Sequence, residues 1–189
     1  MGRKSSFTDE EIFRCVAGQF AVQGRFTIDA LTAETGLSMG SIYHRFGSRD
    51  GLLAEAWLNA VGRFQARFLD ALAPNTLGAA LDAALATPNF CRSNRGEAVL
   101  LTCCRRSEFL LPDTPADLRS RIEKSNVAAV RAIRAFAAAV DRPLLACRLA
   151  LIAYPLGAVR LYLPSRPVPT MLDAEIAKAV RAALAIERR

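Results

Sequence analysis

Residues 27–53 read TIDALTAETGLSMGSIYHRFGSRDGLL, three brief apolar-periodic runs, each opened by a hydroxyl residue: Thr27, Ser38 and Ser48. Ser and Thr at such positions accept a hydrogen bond from an orphan N–H of the first helical turn, so each marks a helix start. Gly36 separates the first run from the second, where a helix would need a C-terminal stop. The middle run, Ser38–Phe46, is too small to form a core. It carries Ser, Gly, Tyr and the only histidine of the chain, His44. A segment of that kind is shaped to meet something outside the protein.

The flanking pattern supplies the frame. Thr8 or Asp9 caps a first helix, with Asp9, Glu10 and Glu11 at its positive end. Ile12, Phe13, Val16, Ala17, Phe20 and Ala21 draw one helical stripe, and Gly24 ends it. Ile28 and Leu31 point inward from the second helix, Leu37 plugs the corner, and Ile42 and Phe46 point inward from the third. Ser48 opens a long helix to about residue 73, striped by Leu52, Leu53, Ala56, Trp57, Ala60, Phe64 and Phe68.

Beyond Pro74-Asn75 the pattern predicts helices over 76–86, 95–106, 116–140, 143–163 and 170–188. Breaks are expected at Thr87-Pro88, Leu111-Pro112, 141–143 and the proline-rich 164–169. No internal repeat and no strand pattern emerges. The expectation is an all-α protein of about nine helices, with a three-helix head over 1–50 and a helical body over 51–189.

Two short helices joined by a tight glycine turn, the second exposing small polar side chains, describe a helix-turn-helix. The major groove of B-DNA is about 12 Å wide and admits one helix. Ser38, Gly40 and Ser41 are small enough to let the backbone approach base edges, and Met39 can offer apolar contact to a thymine methyl. Capping hydroxyls and free N–H groups near Thr27, Ser38 and Ser48 suit phosphates, and Tyr43, His44 and Arg49 add further donors. Arg3 and Lys4 form a basic arm.

At this point the run from Ile12 to Leu53 resembles the N-terminal DNA-binding domain of TetR-family transcriptional regulators. The resemblance rests on Phe20 before Gly24, Thr27 opening helix two, the AETGLS turn at 33–38 and GSIYHRFGSRDGLL at 40–53. Tyr43-His44-x-Phe46 followed by Ser48-Arg49 is far more specific than a generic helix-turn-helix, although strong similarity covers only about a quarter of the chain. It implies that Ser38, Met39, Gly40, Ser41 and His44 face bases or nearby phosphates. It also implies that Thr27, Tyr43 and Arg49 clamp the backbone, Arg49 standing where lysine is more usual. Members are generally dimers, mostly repressors, whose C-terminal domain binds a small molecule and resets the spacing of the two heads.

Bulk properties bound the alternatives. In 189 residues, 52% are hydrophobic and 23% charged, which suits a folded chain with a substantial core. Net charge is +7 with pI about 9.6, which favours polyanionic partners. The first fifty residues nonetheless balance, Arg3, Lys4, Arg14, Arg25, Arg45 and Arg49 against Asp9, Glu10, Glu11, Asp29, Glu34 and Asp50. The whole excess lies in 51–189, so charge alone does not mark a DNA-binding head; it would serve an anionic ligand or general attraction to DNA.

No secretory signal opens the chain, and the apolar stretch 144–163 is interrupted by Arg148, Pro155 and Arg160, against a membrane span. The expected location is the cytoplasm, with reduced thiols. Cysteines 15, 91, 103, 104 and 147 form no CxxC, and one histidine cannot build a metal site, so no metal or cofactor is expected. The Cys103-Cys104 pair reads as a thiol sensor or, more simply, as helix packing. MGRKSS fits an N-myristoylation pattern, which a basic DNA arm explains equally well.

Two seams suggest a partner surface. Ala146, Ala150, Ala153 and Gly157 form a strip of small residues, and Leu172, Ile176, Val180 and Leu184 form an apolar seam on the last helix. Doubled by a twofold axis they would give a four-helix homodimer interface; the alternative is burial within one subunit. Pro155 predicts a kink and a possible ligand pocket near Tyr154, facing Phe64, Phe68, Cys104 and Phe136. That lining suits a largely apolar effector, and core packing would give the same composition.

Taken together, these readings predict a ligand-responsive, DNA-binding repressor that holds a palindromic operator as a homodimer and is not an enzyme. A helical enzyme would need a nucleophile–base–orienter set that the residues do not supply. A helical interaction module would leave the Ser-Met-Gly-Ser-x-Tyr-His pattern without a purpose. A gel shift with the upstream DNA at raised salt separates the three.

Overall fold

The computed structural model describes residues 7–185, so the Arg3-Lys4 arm, the MGRKSS pattern and residues 186–188 of the expected last helix lie outside the described residues. The described chain is helical, with no strand among the described residues. It divides into two compact units. The first takes the chain up to Val61 together with Arg95–Lys124, and the second takes Gly62–Asn94 and the chain from Ser125 onward. The boundary therefore falls inside a helix.

In the first unit α1 (Asp9–Gln23) starts as its sequence demands. The Thr8 hydroxyl accepts from Glu11 N–H, and the Glu11 carboxylate accepts from Thr8 N–H at 2.8 Å. That backbone bond, with the Thr8 hydroxyl, holds the Glu11 carboxyl below its ordinary range. Then come α2 (Ile28–Thr35) and α3 (Met39–Phe46). Gly24 and Gly36 sit left-handed at φ +68° and +69°, where a side chain would be strained. The core gathers Ile12, Val16, Phe20, Phe26, Leu31, Ile42 and Leu52, all buried.

Two later helices complete this unit. α6 (Arg95–Cys103) lies along α1, with Gly96 against the Ala17 carbonyl. A 3-10 turn at Arg106–Phe109 brings Phe109 to 5.4 Å from Trp57 of α4 (Arg49–Leu72). α7 (Ala116–Lys124) is tied down by a two-pronged ion pair, Arg121 donating to Glu55 at 2.6 and 2.7 Å. Nothing in the hydrophobic periodicity assigns 95–124 to the head, because periodicity names an inward face without naming its neighbour.

The second unit holds the rest of α4, α5 (Leu77–Ser93), α8 (Val127–Ala139), α9 (Leu144–Arg148), α10 (Tyr154–Arg160) and α11 (Leu172–Leu184). Phe68, Phe90 and Phe136 anchor its core. Arg92 donates to both Asp173 oxygens at 3.0 and 2.8 Å, fastening α5 to the start of α11.

Three expectations about helix limits are corrected. α5 runs straight through Thr87-Pro88, both buried; packing against α10 and α11 overrides the lost N–H of Pro88. The expected helix over 116–140 is two helices, parted at Ser125-Asn126. The expected helix over 143–163 is interrupted before Pro155 by a π-helical turn, Leu149–Ala153, joining α9 to α10. A proline cannot donate to the carbonyl a turn before it, and widening that turn is one way a helix accommodates the gap.

The last-helix seam takes the second of its two expected settings. Leu172, Ile176, Val180 and Leu184 are buried within the single chain, where α11 packs on α5. Of the small-residue strip, Ala150 is buried and Ala146 half-buried, while Ala153 and Gly157 are exposed. The large apolar side chains left at the surface of these helices are Leu145 (67% exposed), Leu156, Leu161 (71%) and, just before α11, Met171 (74%).

Candidate nucleic-acid interface

α3 owes its shape to its cap and its single anchor. Ser41 N–H donates to the Ser38 hydroxyl at 3.1 Å, and Ile42 is fully buried beneath. Met39, Gly40, Tyr43 and His44, spaced by one, three and one, fall on the opposite side and are exposed, as is Ser38; Ser41 is half-buried. Met39 is 45% and Tyr43 39% exposed, unusual for large apolar side chains on a short helix with core nearby. The face carries no carboxylate.

The three capping hydroxyls act alike. Thr27 accepts from Ala30 N–H at 3.2 Å, Ser38 from Ser41 N–H, and Ser48 from Gly51 N–H at 2.9 Å. Each is an acceptor in its cap and keeps its own proton to donate, the arrangement a phosphate oxygen needs. The helix N-termini add their positive ends. Neutral donors of this kind explain how a head of balanced charge can hold a polyanion.

Arg49 has a different setting from the one its position suggests. Its guanidinium lies 4.6 Å from the Phe26 ring centre, donates to the Phe26 carbonyl at 3.1 Å and meets Asp50 at 3.0 Å. These contacts fasten the start of α4 to the loop before α2. The group is 45% exposed and has five N–H donors, so donors remain beyond those the tether uses.

Two contributors escaped the sequence reading. Arg45 pairs with Asp9, donates to the Phe7 carbonyl at 2.9 Å and overlies the Phe46 ring, while Phe46 itself packs 5.8 Å from Phe13. Together they pin α3 to α1. Gln19, buried on α1, accepts from Thr27 N–H at 3.2 Å and donates to Glu34 at 3.4 Å, placing the α2 cap. The signal for Gln19 was available: a polar residue beside the apolar stripe of α1.

The expected pocket residues fall in both units. Phe64, Phe68, Phe136 and Tyr154 belong to the second unit and Cys104 to the first. Phe64 packs 6.2 Å from Phe68 and edge-on to Phe90 at 5.6 Å, Phe68 and Phe136 are fully buried, and Tyr154 is exposed. No group of metal-ligating side chains occurs among the described residues.

The cysteines are not poised as thiolates. Burial pushes the Cys91 thiol up to about 11; burial and the Glu108 charge do the same for Cys104, and burial with Glu34 for Cys15. Cys103 is raised too, by desolvation. A folded-state pKa above the unfolded value near 9 stabilises the fold below that pH and is lost as pH climbs toward 11. The expected outcome is a melting temperature that begins to fall above about pH 9, with a smaller fall in a Cys15→Ser, Cys91→Ser, Cys104→Ser variant, read by circular dichroism across the pH series.

The comparisons agree with this geometry. Residues 23–56 match the family described as Bacterial regulatory proteins, tetR family. The fold superposes on the TetR family transcriptional regulator PfmR from Thermus thermophilus with TM-score 0.70 and 20% identity, over 94% of this chain and 99% of that one. It also superposes on a protein assigned to the tetR family of transcription regulators from Shewanella sp. PV-4, with TM-score 0.58 and 18% identity, over 94% and 96%. No curated protein matches. No helix among the described residues is long and apolar enough to cross a membrane.

Proposed function

We propose that this chain is a TetR-family DNA-binding transcription regulator, not an enzyme, and that it acts as a homodimeric repressor released by a small effector. The observation that carries the reading is the face of α3: Ser38, Met39, Gly40, Tyr43 and His44 outward, free of carboxylates, over a buried Ile42, with three hydroxyl-capped helix starts around it. Each head would insert α3 into successive major grooves of a palindromic operator, about one helical turn apart. Thr27, Tyr43 and the remaining Arg49 donors would hold phosphates, and Ser41 would sit at the edge of the contact.

The dimer surface in this proposal follows from exposure. Leu145, Leu156, Leu161 and Met171 are exposed apolar side chains that a second copy would cover, with Ala153 and Gly157 allowing close approach. The effector is a largely apolar molecule held in the second unit beside Phe64, Phe68, Phe136 and Tyr154, where Phe68 and Phe136 would have to part to admit it. It would favour a head spacing that misfits DNA, a coupling of order 1–3 kcal/mol. The place of action is the cytoplasm, where the operator is.

The test is a gel shift with the upstream DNA of the protein's own gene, at low and raised salt, for wild type and Tyr43→Ala. Wild type should form a salt-resistant specific complex. Tyr43→Ala should weaken it roughly tenfold or more, since a base or phosphate contact contributes about 1–3 kcal/mol, with the melting temperature nearly unchanged. Unaltered affinity in that variant would remove Tyr43, and with it this face, from the interface.

A further inference from the structure

Within the first compact unit a cavity of about 330 Å³ opens between the α3–α4 turn and the segment around 108–118. Its walls are apolar: Phe46, Ala54, Phe109 and Leu118, the last three buried. Its rim carries Asp50, Glu108 and Asp113, and no Lys, Arg or His lines it. In a protein of net charge +7, a concavity lined by three carboxylates, one of them paired with Arg49, and by no cation favours positive charge.

The remaining polar groups of the lining are already committed. The Ser48 hydroxyl caps Gly51, and the Thr114 hydroxyl donates to the Phe109 carbonyl at 2.8 Å while accepting from Leu111 N–H at 3.0 Å. One Glu108 oxygen accepts from Arg105 N–H at 3.0 Å, and one Asp50 oxygen meets Arg49. Each of these carboxylates keeps a second oxygen, and Asp113 makes no ion pair among the described residues. Unused acceptors therefore accompany an apolar lining with two phenyl rings, Phe109 and Phe46, the latter already overlain by Arg45 on one side, and such rings favour a positive charge.

From this we infer that the cavity binds a small organic cation, a protonated amine or quaternary ammonium on an apolar body. The volume lies at the low end for small-molecule sites, so the ligand is compact. An inorganic metal ion does not fit the apolar walls, and an anion meets the carboxylates of Glu108 and Asp113, Asp50 being paired with Arg49. The site is separate from the effector position proposed in the second unit. Its occupant would touch Phe46, the last residue of α3, and Phe109 together, bracing the turn from which α4 departs.

Trp57, the only tryptophan, packs against Phe109 and serves as the reporter. The full chain is titrated at fixed ionic strength with phenethylammonium and benzyltrimethylammonium, and in parallel with 3-phenylpropionate and neutral 3-phenylpropanol, following Trp57 emission. Both cations should give saturable shifts, the carboxylate none, and the alcohol at least tenfold weaker binding. Asp113→Asn with Glu108→Gln, which keeps the acceptor of the Arg105 N–H bond, should leave the melting temperature unchanged and weaken the cations at least tenfold. No saturable response to the cations, an equal response to the carboxylate, or undiminished affinity in the folded double variant would overturn the assignment. No DNA enters the measurement, so its failure leaves the operator-binding reading standing, and the Tyr43→Ala gel shift judges that reading alone.

Discussion

Gly96→Val is expected to lower stability by about 3 kcal/mol and to abolish operator binding, although residue 96 lies far along the chain from α3. A Cβ at Gly96 would stand 2.9 Å from the Ala17 carbonyl oxygen, 3.0 Å from its carbon and 3.2 Å from the Gly18 nitrogen. Those neighbours are backbone, which cannot rotate aside as a side-chain tip can. α1 and α6 must therefore separate. α1 carries Asp9 and Phe13, which hold Arg45 and Phe46, so its displacement releases α3 from its mounting. Differential scanning calorimetry should record a fall of roughly 10 °C for a chain of this size, and the gel shift should vanish. Gly96→Ala should behave likewise to a smaller degree. A Gly96→Val protein that melts and shifts DNA like wild type would show that this seam does not position the head.

The second large effect separates an internal seam from an external one. Ile176→Asp would place a carboxylate at a site 2% exposed, with α5 packed over it, and should cost more than about 4 kcal/mol. The expected product is an unfolded or aggregated protein. Leu161→Glu acts on a side chain 71% exposed and should keep the helical circular dichroism spectrum while weakening self-association. Sedimentation velocity over a concentration series, beside circular dichroism, reads both variants. A folded, monomeric Ile176→Asp protein would return the last-helix seam to the dimer interface. A Leu161→Glu protein that self-associates as wild type does would move the interface elsewhere.

The head was nearly all legible because its signals are local. Thr8, Thr27, Ser38 and Ser48 each cap a helix within three residues of themselves, and Gly24 and Gly36 stop helices by a property of their own backbone. The exposure of Tyr43 and His44 follows from burying Ile42, since a helix with one inward residue per turn must turn the others out. The type and position of Arg49 suit a phosphate, and only the neighbouring Phe26 ring and carbonyl show that a tether also uses part of its guanidinium.

What the order of residues determined by itself is the all-helical class, the helix starts and the outward face of α3, because these depend on contacts a few residues apart. Tertiary structure decided the rest. It grouped 95–124 with the chain up to Val61, carried α5 through Pro88, split 116–140 at Ser125-Asn126 and turned the Leu172–Leu184 seam inward. It also brought Asp50, Glu108 and Asp113 around one cavity from segments more than fifty residues apart. An apolar stripe states that a face must leave water; only packing between distant segments settles which surface receives it, and that choice is made by shape across the whole chain.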